Sequence, residues 1–181
     1  MSGLSRIRME ILRLLWQTNR PMNLKEISER MNLKTHCVNM HLLNLVRGGY
    51  VKRSDKLYVL TDLGKEALGF PSINEKMAKK ILSEVPLDKA FHFYRDLDKP
   101  LMVYSNSLTD FCEKIKNIDL NSIEFHVYRG DFEVWIHFLG DIELAHRLRL
   151  IRELGLSGES LREEVFRAVK LRCDELKKIL P

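Results

Sequence analysis

Along the first part of the chain the apolar positions keep helical spacing through three segments, turn β-prone once, and return to helical spacing. Leu4, Ile7, Ile11, Leu14 and Leu15 follow helical spacing and predict an amphipathic first helix that closes near Asn19-Arg20-Pro21. In NLKEISERM, Asn23 can cap a first turn and Glu26, three residues on, can return the bond, while Leu24, Ile27 and Met31 face inward; a short second helix is predicted. After Asn32-Leu33, the segment KTHCVNMHLLNL predicts a third helix that runs until Gly48-Gly49 stops it. At about 100° per residue, Val38, Leu42 and Leu45 share its buried face, Cys37 and His41 lie on one flank and Asn39 on the other. His36, Met40, Leu43 and Arg47 point away from that core. Tyr50 to Arg53 and Leu57 to Leu60 are β-prone around a Ser-Asp-Lys turn and predict a small hairpin, after which TDLGKEAL returns to helix.

Beyond Phe70-Pro71 the pattern is less uniform. SINEKMAKKILSEVPLDK predicts a connector helix within 71–89, with Ile73, Met77, Ile81 and Leu82 on one side, and a further domain is expected over 90–181. There AFHFY and PLMVYS are β-prone, and SLTDFCEKIKNI opens on a Ser107 to Asp110 capping pattern. The run SIEFHVYRGDFEVWIHFLGDIELAHRLRLI fits two readings. Ile123, Phe125 and Val127 alternate as in a strand, whereas Phe132, Trp135, Ile136 and Leu139 fit a helical face, so hairpin and helices stay open for 122–138. The last segment opens on Ser160 with Glu163 three residues on, and Leu161, Val165, Val169, Leu176 and Ile179 form a stripe able to pack on its own domain or on a second chain. The whole reads as mainly α with small β elements (α+β): an N-terminal domain over 1–70 and a mostly helical C-terminal one.

Charge separates the two parts. Of 30 Lys and Arg against 25 Asp and Glu, residues 1–70 hold 12 against 6, so the basic surplus belongs to the N-terminal part alone and suggests a polyanionic partner for it. With 45% apolar and 30% charged residues the chain is no disordered polymer, and no run approaches the ~18 apolar residues of a membrane span. The N-terminus lacks a small-residue cleavage site after its apolar part, which makes a cytoplasmic, nucleoid-associated location the expectation. Cys37, Cys112 and Cys173 contain no CxxC pair and are expected as reduced thiols. Cys37 and His41 stand at ligand-pair spacing but supply only two of the three or four ligands that zinc needs, so no metal and no cofactor is expected.

The order of three helices, hairpin and closing helix, with "LNLVRGGYVKR" at the first wing strand and "LYVLTDLGKEAL" at the wing exit, resembles the winged helix-turn-helix fold of prokaryotic, archaeal-like transcription regulators over roughly 4–69. The resemblance implies that the third helix enters the major groove of double-stranded DNA with its N-terminal half. Lys34, Thr35, His36, Asn39 and Met40 stand at the matching positions. Asn39 is suited to paired bonds with adenine, Met40 to a thymine methyl, His36 to a base edge or phosphate, and Lys34 and Thr35 to phosphates. On the wing, Lys52, Arg53 and Lys56 are expected to neutralise phosphates.

A second pattern is similar to a small prokaryotic domain family of unknown function over roughly 90–154. It comprises Phe91 and Phe93, Ser107 to Phe111, Ser122 to His126, Asp131 to Ile136 and Leu139 to Ala145, and it favours helices over a hairpin. His126, Asp131, Trp135, His137 and His146 invite an active-site or metal reading, but nucleophile elbow, phosphate loop and HExxH spacing are all missing. A buried histidine bonded to an aspartate that caps the next helix accounts for the same residues. The expectation is therefore a non-enzymatic DNA-binding regulator or chromatin-associated protein, a homodimer, with a C-terminal domain for dimerisation, a protein partner or sensing. The alternatives are a ligand-binding or enzymatic domain centred on His126 and Trp135, and a winged helix used for protein contact.

Overall fold

A computed structural model describes residues 3–181, which form two compact units divided between Ser72 and Ile73. The chain is mainly helical with small antiparallel sheets. In the first unit, α1 (Arg6–Thr18) ends on Asn19 in the left-handed conformation, and a two-residue strand β1 (Met22–Asn23) leads into α2 (Leu24–Met31). Asn23 caps α2 as expected, its side chain accepting the Glu26 N–H at 2.9 Å. Glu26 does not return the bond; its carboxylate pairs with Arg20. Helix α3 (Thr35–Arg47) follows, then the hairpin β2 (Val51–Ser54) and β3 (Leu57–Leu60), and α4 (Asp62–Ala67).

The hairpin turn consists of Asp55 and Lys56 at φ of 48° and 69°, with Ser54 and Leu57 as its last paired residues. Positive φ at both central residues is the turn whose twist matches the flanking strands. β1 pairs with β3, giving the strand order β1-β3-β2. The Leu-Thr-x-x-Gly stretch locks this sheet to α4: Thr61 accepts the Gly64 N–H at 3.1 Å and donates its hydroxyl to the Gly49 carbonyl at 2.7 Å. Gly64 is required by close approach, since a Cβ there would lie 2.3 Å from the Tyr50 carbonyl oxygen. Ile11, Leu12, Leu15, Met22, Ile27, Val38, Leu42, Leu45, Val51 and Tyr58 form the core.

In the second unit, α5 (Glu75–Leu82) is more than the expected connector, because Ala78 and Ile81 enter this unit's core. After a single 3-10 turn at Leu87–Lys89, β4 (Phe91–Tyr94) pairs antiparallel with β5 (Pro100–Ser105). Ser107 caps α6 (Leu108–Ile115) through the Asp110 N–H. The ambiguous run forms two helices, α7 (Leu120–Arg129) and α8 (Asp131–Leu139), broken at Gly130, whose φ of 78° ends one helix and starts the next. They are followed by α9 (Ile142–Glu153) and α10 (Gly158–Ile179).

Two expectations for α10 change. Its N-cap is Ser157 rather than Ser160, which lies inside the helix. The stripe of Leu161, Val165, Val169 and Leu176 is buried in the core of its own unit, against α5, α6, α7 and α9, and only Ile179 is exposed. The homodimer interface expected from that stripe is therefore not there. Among the described residues no helix is long and apolar enough to cross a membrane.

Candidate nucleic-acid interface

The two faces of α3 are separated as its periodicity requires. Val38, Leu42 and Leu45 are fully buried, and His36, Met40, Leu43 and Arg47 are exposed on the opposite side. Lys34 and Thr35 are exposed at the N-terminal end, and Asn39 is half-buried on the flank of the exposed face. The four α3 positions expected to meet DNA, with Lys34 at the N-cap, thus lie on or beside one surface.

β2 packs against α3 and carries the remaining cations. Lys52 pairs with Val59 and Arg53 with Tyr58, so the two side chains go to opposite faces of the hairpin. The Arg53 guanidinium lies over the ring of buried Tyr58, 5.7 Å from its centroid, which gives this side chain a fixed base. Lys52 shares the outer face with exposed Leu57 and Val59, and Lys56 occupies the turn.

The cations of this unit differ in pairing. On α1 and α2 and the segment between them, Arg6, Arg20 and Lys25 face Glu10, Glu26 and Glu29. Lys34, Arg47, Lys52, Arg53 and Lys56 are exposed and make no ion pair among the described residues. Arg8 and Arg13 on α1 and Arg30 on α2 make none either, so among the described residues α1 and α2 are partly neutralised while every cation of α3 and the hairpin is left without an ion pair. Cys37 and His41 are half-buried on the flank of α3, and among the described residues no three His, Cys, Asp or Glu side chains group to hold a metal ion.

The second candidate centre has a different character. His126 is buried; its Nδ1–H donates to Asp131 at 2.8 Å, and its Nε2 accepts the Tyr94 backbone N–H at 2.8 Å. Both ring nitrogens are committed, so neither can take a proton from a substrate. Burial pushes the His126 pKa below the ordinary histidine value; the hydrogen bond and charge of Asp131 act against this, and Arg129 adds to it. The rings of Phe91 and Phe132 pack around it. Asp131 is the first residue of α8 and also accepts from Arg129 at 3.1 Å; the capping position itself is held by Gly130. Trp135 donates its Nε1–H to the Lys89 carbonyl at 3.0 Å, while His137 and His146 are exposed. This cluster fastens β4 to α7 and α8.

The sequence reading missed one buried polar centre. Arg172 of α10 donates to both oxygens of Asp141 at 2.7 and 3.1 Å, and its Nη1 reaches Glu143 at 2.9 Å and Glu175 at 3.1 Å. Asp141, 0% exposed, also caps α9 through the Leu144 N–H at 3.0 Å. Burial opposes the Arg172 charge, but the hydrogen bond and charge of Asp141, followed by Glu143, hold its pKa above the ordinary arginine value. A signal was present: Arg172 stands on the buried phase of α10, between Val169 and Leu176, where an unpaired charge is not tolerated.

Residues 4–70 match the family described as a domain of unknown function (DUF7347). The match covers the first unit, which carries α3 and the hairpin. No curated protein matches the chain, and no solved structure matches it.

Proposed function

We propose that the first unit is a winged helix that binds double-stranded DNA, with α3 as its reading helix and the β2–β3 hairpin as its wing. On this reading the chain is a prokaryotic, archaeal-like transcription regulator or chromatin-associated protein. The observation that carries the proposal is the distribution of pairing. Lys34, Arg47, Lys52, Arg53 and Lys56, on α3, its entrance and the hairpin, are all exposed and none of them faces a carboxylate. A polyanion with regularly spaced charges would satisfy them, and each phosphate neutralised releases a counterion. The order α1-β1-α2-α3-β2-β3 and the anchored wing base support the same reading.

No reaction is proposed. The second unit is assigned to a protein partner or to sensing, on the strength of its exposed Val134 and Phe138, one turn apart on α8. The test is a salt titration of the full chain on duplex DNA. Affinity should fall steeply with salt, and Arg53→Ala with Lys56→Ala should weaken every sequence alike and make the slope shallower by about 2. An affinity that does not depend on salt would overturn the proposal.

A further inference from the structure

The exposed face of α3 is unusual for a surface that meets DNA, because its middle is apolar. Met40 and Leu43 are 52% and 39% exposed, three residues apart, and neither is needed by the core, which Val38, Leu42 and Leu45 complete. His36 stands one turn before Met40 and Arg47 one turn after Leu43. Asn39 lies beside Met40. Between His36 and Leu43 the helix carries neither arginine nor lysine.

Base pairs present different chemistry to such a face. Guanine offers two acceptors, O6 and N7, and is matched by the paired donors of arginine or lysine. An A·T pair offers a donor beside an acceptor on adenine, which a carboxamide matches, and the thymine methyl, which an apolar side chain matches. The α3 surface holds two apolar side chains, Met40 and Leu43, flanked by the carboxamides of Asn39 and Asn44, the latter donating to the Met40 carbonyl at 3.1 Å, where arginines would be needed for guanine. Met40 and Leu43 are displaced by about 4.5 Å along the helix axis, comparable with the roughly 3.4 Å between successive nucleotides of a strand. Two neighbouring methyl groups are therefore within their combined reach. Lys34 and Arg47 bracket this apolar centre along α3, and Lys52, Arg53 and Lys56 stand on the hairpin whose first strand packs against α3, a supply of positive charge that suits a nucleic acid.

We infer that α3 selects A·T base pairs, with Met40 and Leu43 contacting the methyl groups of adjacent thymines and Asn39 pairing with a neighbouring adenine. This inference rests on the duplex-DNA reading above and adds its sequence class. Leu43 becomes a specificity-determining residue through its exposure alone.

The experiment selects duplexes from a random 20-base-pair library with the full-length protein and measures the affinity of the selected duplex by fluorescence anisotropy. The same duplex is then made with uracil in place of every thymine, which removes only the methyl groups. The expected result is a selected core of A·T pairs, a preference over a G·C core of roughly tenfold, and about threefold or greater weakening on the uracil duplex. Met40→Ala with Leu43→Ala should abolish the difference between thymine and uracil duplexes. Because both residues are exposed, the variant should melt as the parent does. A G·C core, or equal affinity for the thymine and uracil duplexes, overturns the inference and leaves the DNA-binding reading standing. No binding to any duplex at low salt overturns both.

Discussion

Replacing Arg172 by Met tests how the second unit holds together. Methionine fills most of the space of the arginine stem, so packing is largely kept and the loss is mainly electrostatic. The substitution takes from Asp141, 0% exposed, and Glu143, 6% exposed, the guanidinium that both contact. Arg147 remains beside Glu143, so the loss falls chiefly on Asp141. Removing one partner of a buried pair costs about 3 to 5 kcal/mol, because the remaining charge keeps its desolvation penalty. Asp141→Asn should be milder, about 1 to 3 kcal/mol, since the amide oxygen still accepts the Leu144 N–H and Arg172 keeps Glu143 and Glu175. The double variant holds one fewer stranded carboxylate and should fall short of the summed losses by about 1 to 3 kcal/mol. Urea unfolding followed by Trp135 fluorescence in a Trp16→Phe background reads the second unit alone, because the chain has 2 tryptophans, one in each unit. A loss below about 1 kcal/mol for Arg172→Met, or strict additivity in the double variant, would refute the argument.

Leu42→Ala should cost the first unit about 2 to 5 kcal/mol, by transfer plus cavity, whereas Asn39→Ala on the flank of the same helix should leave its melting temperature almost unchanged. Thermal denaturation of the two variants side by side checks the separation of faces. His126 gives the second unit a pH dependence. Its folded pKa lies below the unfolded value, so its contribution is complete above about pH 6.5 and is lost as pH falls towards the folded value, where the neutral ring must take a proton. Denaturant titrations between pH 5 and 7 should show this slope and should lose it in His126→Gln; an unchanged slope would assign it elsewhere. Deleting 158–181 removes Leu161, Val165, Val169, Cys173 and Leu176 from the core, so the second unit should lose its cooperative transition rather than change its mass in light scattering.

The first unit was legible because its helices are strictly amphipathic and bounded by Asn and Gly. What periodicity could not supply there was β1, since two residues, Met22 and Asn23, are too few to show alternation. In the second unit, 122–138 resisted because α8 is apolar on more than its buried side: Val134 and Phe138 are exposed while Phe132, Trp135 and Ile136 are buried. Hydrophobic spacing therefore carries little phase information, and Gly130 alone marks the break. Ser160 misled because a Ser followed by Glu163 imitates a cap one turn inside a helix that Gly158 already begins. The positions on α3, Leu43 included, were readable from rotation alone, but the lack of ion pairs on the hairpin cations needed the third dimension.

The hairpin turn sets two properties against each other. Asp55 and Lys56 hold backbone angles that glycine or asparagine adopts with far less strain, and a left-handed conformation costs an ordinary residue about 1 to 2 kcal/mol. Changing Lys56 alone to Gly would make the hairpin more resistant to opening and would also remove the cation at its tip. At this one position a gain in folding and a loss in attraction for an anion are the same substitution, so the two measurements should move in opposite directions.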